Sequence, residues 1–157
     1  MTDKETARAQ IAALVARFDR TPKREIAGYT EQQMRVSFIL PLFQALGWDT
    51  TSPAEMSAEE NISRGFVDFG FYLHGVPVFY LETKRAREDI NRIDYMKQAI
   101  NYAYLKGVTW AVLTDFDEMM VFNAEWDDDD PEKTRLFHLR HADYAGSSFD
   151  DLWLLSK

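Results

Sequence analysis

The sequence predicts an α/β fold in which a mixed β-sheet is flanked by helices on both sides. Three observations carry that expectation. Amphipathic stretches with apolar residues at steps of three and four occur early, in the middle and at the end of the chain. Residues 66–83 form a run rich in aromatic and branched side chains, broken only by His74-Gly75. The elements follow the order helix, helix, three strands, helix, two strands. At 157 residues the chain has the length of one ordinary domain, with a core expected over about 29–123 and an acidic loop and terminal helix over 124–157.

Each element has its own reason. Residues 3–20 read as a helix because Ile11, Leu14, Val15 and Phe18 recur at helical spacing, with Thr2 and Asp3 as caps and Thr21-Pro22 as the stop. A second helix opens at Thr30, where Gln33 completes a capping box, and carries Met34, Phe38, Leu42 and Leu46 as far as Gly47. Pro41 lies inside it and predicts a kink or a break. A short edge strand is expected at 58–63. Residues 66–73 and 77–83 should form a hairpin turning on Gly75. Residues 90–106 read as a helix stopped by Gly107, and 109–114 and 119–122 as two more strands. The acids at 127–130, followed by Pro131, read as a solvated loop. The terminal helix at 148–156 is apolar enough to be expected to pack against something downstream.

Composition removes several function classes. With 46% hydrophobic and 28% charged residues the chain is globular, which excludes disorder and fibrous repeats. The absence of cysteine excludes disulfides, thiol catalysis and cysteine-ligated metals, and three scattered histidines give no metal-ligand spacing. No apolar run approaches the ~18–20 residues of a membrane span, and the start lacks a signal-peptide pattern. A cytoplasmic protein with no membrane partner is expected. The net charge of −8 opposes nucleic acid only globally: nine acids and no bases fall within 115–132, which leaves the remainder at +1, and residues 84–97 carry +2.

The chemistry concentrates in Asp68 and Glu82-Thr83-Lys84. On a strand, Glu82 and Lys84 share a face while Thr83 turns to the other, and the hairpin places Asp68 across from Glu82. Two crowded carboxylates repel and lose hydration unless a cation neutralises them. Two carboxylates with the Thr83 carbonyl make a hard oxygen site suited to Mg²⁺ rather than zinc, and Lys84 could lower the pKa of a bound water or hold it in line with a phosphodiester. Taken alone, Glu-x-Lys fits a salt-bridged strand end equally well. Glu31 at a helix start fits the helix dipole, and Gln98 and Tyr102, with Asp94, fit an ordinary polar helix face. Lys84-Arg85-x-Arg87 fits either a phosphate contact or a solvated helix entry.

Taken together and in order, these residues resemble the PD-(D/E)xK nucleases, and most closely the N-terminal cleavage domains of type IIG restriction–modification enzymes, themselves related to the nuclease domain of type I restriction motor subunits. The resemblance runs over about 29–122. Glu31-x-x-x-Arg35 and the stretch from Phe38 to Leu46-Gly47-Trp48-Asp49 resemble the family's first helix. Phe66-Val67-Asp68-Phe69 resembles the strand of the first metal ligand, and Leu81-Glu82-Thr83-Lys84 the second ligand and lysine. Gln98-x-x-x-Tyr102 and Leu113-Thr114-Asp115-Phe116 resemble the helix and strand that follow. Val67 departs from a frequent proline and Thr83 from a frequent alanine, positions at which the family places no catalytic side chain.

The resemblance implies a Mg²⁺-dependent DNA endonuclease, with Mn²⁺ as a substitute, acting in bacterial defence by in-line attack of water without a covalent enzyme intermediate. Asp68, Glu82 and the Thr83 carbonyl would hold the metal, and Lys84 would position or activate the water. Glu31 would serve as an auxiliary acid, Gln98 would orient Lys84 or touch a phosphate, Tyr102 would buttress it, and Arg85 and Arg87 would meet DNA. Implied partners are double-stranded DNA, downstream methyltransferase and target-recognition domains, and a transient dimer for double-strand cleavage. Alternatives are the nuclease domain of a type I-like translocating enzyme and a catalytically silent nuclease fold that holds DNA or assists assembly. A small-molecule hydrolase finds no nucleophile–histidine pair here. Glu59 and Glu60 read as exposed acids, His74, His138 and His141 as non-catalytic, and Trp48, Trp110 and Trp153 as packing residues.

Overall fold

A computed structural model describes residues 2–61 and 66–157, with the side chains of all of these except 59–61 and 66–68. Helix α1 (Lys4–Arg20) starts at Asp3, whose carboxylate accepts from the Thr6 amide at 3.0 Å, and buries Ala7, Ile11 and Leu14. A short α2 (Lys23–Gly28), which apolar periodicity does not single out, follows Pro22. Helix α3 (Glu31–Met34) opens on the anticipated capping box, with both of its hydrogen bonds made.

The break expected at Pro41 takes the form of a π-helical turn, Arg35–Ile39, that runs into α4 (Leu40–Ala45). Pro41 has no amide hydrogen for the Ser37 carbonyl four residues back. The wider turn lets the Leu40 amide reach the Arg35 carbonyl, and Arg17 of α1 donates to the Ser37 oxygen while lying 4.9 Å over the Phe38 ring. A proline inside a helix is thus accommodated by a neighbour that supplies the missing donor.

Strands β1 (Met56–Asn61), β2 (Phe66–Leu73), β3 (Val76–Thr83), β4 (Trp110–Thr114), β5 (Glu118–Asn123) and β6 (Arg135–Arg140) form one sheet in sequence order. Only β3 and β4 run parallel, and α5 (Ile93–Leu105) makes the crossover between them. Residues 62 and 63 of the expected edge strand lie outside the described residues. The hairpin turns as expected, with φ of 51° at His74 and 79° at Gly75, both left-handed as a two-residue turn requires. Strand β6 is an addition to the expected order: its end residues Arg135 and Arg140 and the preceding acidic loop hide a short strand pattern.

The sheet alternation divides the core into two layers. Phe79 and Leu81 of β3, Val112 of β4 and Val121 of β5 pack against α1, α4 and the π turn. Tyr80, Ala111, Leu113 and Phe122, on the intervening positions, pack against α5. The terminal helix α6 (Phe149–Trp153) corrects one expectation. Phe149, Leu152 and Leu155 join this chain's own core, and Trp48 Nε1 donates to the Leu155 carbonyl at 2.8 Å, leaving Leu154 exposed. The apolar character of the segment is therefore accounted for within the domain. Among the described residues no helix is long and apolar enough to cross a membrane.

Gly70 of β2 marks the closest packing near the end of β3. A Cβ there would lie 2.8 Å from the Tyr72 ring and 2.9 Å from the Tyr80 ring, whose hydroxyls stand 3.3 Å apart, and Tyr80 meets Tyr102 of α5 edge-on at 5.1 Å. Gly70→Ala is expected to destabilise the domain by about 1–3 kcal/mol, read by urea denaturation, because the buried Tyr80 ring cannot yield freely. An unchanged midpoint would show that the tyrosine stack accommodates a methyl group.

Candidate functional site

Glu82 is the last residue but one of β3 and continues the row of Tyr80 on the α5 face. Lys84 follows on the same side. Its amide donates to the Thr114 carbonyl at 3.0 Å, which extends the parallel ladder one step beyond the strand. Both side chains are buried, each residue about 4% exposed, and Lys84 Nζ donates to Glu82 Oε1 at 3.1 Å. Burial pushes the Glu82 carboxyl above its ordinary range, the neighbouring Lys84 draws it back, and the negative charge of Glu31 adds to the upward push. The second oxygen, Oε2, is buried and has no hydrogen-bond partner among the described residues. An unpaired buried acceptor costs about 1–3 kcal/mol.

The Lys84 ammonium also lies 4.3 Å from the centre of the Tyr95 ring, a contact of about 0.5–2 kcal/mol. Tyr95 Oη donates to Glu88 at 2.8 Å and accepts from Arg92 at 3.3 Å, and Arg92 also lies over the ring at 4.5 Å. The sequence reading passed over Tyr95. Its signal was its place on α5, one helical turn before Gln98 and therefore on the same side.

The opposite sheet face contributes a second network. Thr83 continues the row of Phe79 and Leu81, and its hydroxyl donates to Glu31 Oε1 at 3.0 Å while accepting from Arg35 Nε at 2.7 Å. Arg35 also pairs with Glu31. Thr83 had been expected to contribute only its carbonyl. Its hydroxyl instead ties the start of α3 to the end of β3 and brings the Glu31 charge within range of Glu82.

Other anticipated residues are placed as follows. Phe69 pairs with Leu81 and Gly70 with Tyr80, and one further step of that register aligns Asp68 with Glu82. The side chain of Asp68, like those of Glu59 and Glu60, lies outside the described residues. Tyr102 is buried against Tyr80. Gln98 is half-buried, makes no hydrogen bond among the described residues, and lines a groove of about 870 Å³ with Asn101, Tyr104 and Trp126. Arg85 is half-buried and pairs with Glu88 at 3.5 Å, while Arg87 is exposed. His138 meets Glu118 at 2.8 Å, and His141 spans Asp117 and Asp19 at 2.6 and 2.9 Å, so both imidazoles are engaged with carboxylates other than Glu82.

Against this geometry, 112 residues align at 29% identity with the type II restriction enzyme and methyltransferase RM.Eco57I of Escherichia coli. Part of this chain is thus similar to part of a restriction enzyme. The alignment covers 62% of the chain but only 11% of that relative, which is a far longer protein. No family model and no solved structure matches the chain.

Asp115, directly after the Thr114 carbonyl that holds the Lys84 amide, supplies a pH dependence. Its carboxylate accepts from the Glu118 amide at 2.9 Å, and burial, reinforced by Asp117 and Glu118, pushes its pKa to about 7. The folded chain then binds this proton more tightly than the unfolded one, so the Asp115 contribution to stability falls as pH rises from about 4 to 7 and levels off above. Asp115→Asn keeps the acceptor and removes the titration. Relative to the parent, the variant should gain on the order of 3 kcal/mol between about pH 4 and 8, read by urea unfolding. A difference that does not change with pH would place the Asp115 carboxyl in water.

Proposed function

We propose that this chain is a Mg²⁺-dependent DNA endonuclease domain of a restriction–modification enzyme, hydrolysing phosphodiester bonds in double-stranded DNA. The observation that carries the reading is the buried Glu82–Lys84 pair with Glu82 Oε2 left without a hydrogen bond among the described residues. A merely structural ion pair gains by engaging both carboxylate oxygens, whereas a metal site needs one kept available. The likeness to a restriction enzyme supports the same class.

The donor chemistry fits a hard divalent ion. Glu82, the Thr83 carbonyl and Asp68, on the strand that pairs with β3, offer only oxygen. These three would hold Mg²⁺, and Mn²⁺ would substitute. Such an ion supplies positive charge that polarises the scissile phosphate and acidifies a water molecule.

The chain's own residues do the rest. The Lys84 ammonium, oriented by Glu82 and Tyr95, holds the attacking water in line with the phosphorus and offsets charge on a non-bridging oxygen. Glu31, anchored through Thr83 and Arg35, adds negative charge that favours cation binding at the end of β3. Gln98 and the exposed Arg87 contact the DNA backbone, with Arg85 released from Glu88 for the same task, and Tyr102 keeps α5 seated on Tyr80. The relative's name joins restriction to a methyltransferase, which favours partner methyltransferase and target-recognition domains over a type I-like motor. A transient pair of copies would cleave both strands.

Plasmid nicking and linearisation test the reading. The parent protein should cut with Mg²⁺ or Mn²⁺ and stop with chelator. Lys84→Ala should lower the rate by about two orders of magnitude or more while retaining Mn²⁺ binding, and Asp68→Ala should lose Mn²⁺ binding as well. Cleavage by Lys84→Ala at the parental rate would remove the ammonium from the mechanism. A parent that binds Mn²⁺ and DNA yet cuts nothing would favour a silent nuclease fold.

A further inference from the structure

We infer that Tyr95 is a positioning residue, whose ring face holds the Lys84 ammonium on the Oε1 side of Glu82 and keeps Oε2 open. The inference deepens the endonuclease reading and rests on it. Lys84 and Glu82 are both buried, in a setting where an ammonium and a carboxylate attract strongly and every available contact is used. A flexible four-carbon stem could carry Nζ across the carboxylate to satisfy both oxygens, which would neutralise the position that a divalent ion must occupy. Nζ is instead found 3.1 Å from Oε1 and 4.3 Å from the Tyr95 ring centre, with Oε2 unbonded among the described residues. The ring is thus one contact that draws the ammonium away from Oε2.

The ring is itself held from both ends of the connection between β3 and α5. Tyr95 Oη donates to Glu88, Glu88 pairs with Arg85, and Arg92 both donates to the hydroxyl and lies over the ring. The hydrogen bond to Glu88 pushes the Tyr95 hydroxyl above its ordinary range, so it stays protonated as a donor. Arg85 is among the residues assigned to DNA. A phosphate that draws Arg85 away from Glu88 would loosen one support of the ring, which links occupancy of the backbone contact to the placement of Lys84.

Two variants separate this from simple packing. Tyr95→Phe keeps the ring and loses the hydroxyl, and Tyr95→Leu keeps the apolar bulk and loses the ring. Lysine side-chain NMR, with Lys84 assigned through Lys84→Arg, gives a readout that does not require cleavage. The Lys84 ε-methylene protons should be shifted upfield by the ring in the parent, should remain so in Tyr95→Phe, and should return to the ordinary lysine position in Tyr95→Leu. Single-turnover cleavage with Mg²⁺ should fall about tenfold in Tyr95→Leu and stay within about twofold in Tyr95→Phe, with the DNA concentration for half-maximal rate unchanged in both. Absence of the upfield shift in the parent, or parental cleavage by Tyr95→Leu, would overturn the inference. If the shift is present and ring-dependent while the parent cuts no DNA, the placement of Lys84 by Tyr95 stands and the endonuclease reading fails.

Discussion

An ammonium and a carboxylate packed together at a site nearly closed to water are the constraint on which the rest of this structure turns. Burial alone would drive Glu82 toward its neutral form, and Lys84 at 3.1 Å opposes that drive. Replacing such a pair by apolar residues is often neutral or stabilising, so the pair is poorly explained by stability. Glu82 Oε2, without a hydrogen bond among the described residues, adds nothing to that stability. The fold supplies what such a site needs: a central strand end, a parallel neighbour that fixes the Lys84 backbone through Thr114, and helices on both faces that exclude solvent.

Both faces of the sheet converge there. Alternation sends Glu82 toward α5 and Thr83 toward α3, so a single strand end reads out two layers at once. On the α5 side Tyr80 meets Tyr102, and the Tyr95 ring is a wall against which Lys84 lies. On the other, Thr83 joins Glu31 and Arg35, which places a further negative charge behind the carboxylate. The π turn that starts at Arg35 belongs to the same arrangement, since it lets the helix carrying Glu31 and Arg35 continue through Pro41 into the core.

Much of this was legible in the sequence because local rules suffice for it. The His74-Gly75 pair marked the two-residue turn, the period of two put Glu82 and Lys84 on one side, and the Thr30–Gln33 box marked the start of α3, whereas nothing announced the irregularity between Phe71 and Tyr72 that shifts the hairpin register by one step. What escaped required knowledge of tertiary neighbours. Strand β6 follows a run of acids and begins and ends with arginines, so its pattern is visible only once β5 offers an edge. Thr83 seemed to have no side-chain role because nothing in the sequence announces that Arg35 and Glu31, about 50 positions earlier, lie beneath it. Tyr95 was one apolar-faced helix residue among several until the loop before α5 folded Lys84 onto its ring. The inward packing of α6 likewise depends on Trp48, distant in sequence, whose indole N–H donates to the Leu155 carbonyl.

The claim beneath all of this is that Glu82 Oε2 is kept open for a divalent cation. Carbon-13 NMR of the Glu82 side-chain carboxyl, followed through a pH titration with and without Mg²⁺, tests it most directly. The account predicts a metal-free titration above the usual glutamate range that Mg²⁺ pulls markedly downward, together with a Mg²⁺-dependent change in the carboxyl resonance at fixed pH. A Glu82 carboxyl whose titration and resonance are indifferent to Mg²⁺ would contradict it and leave the buried pair as a structural feature only.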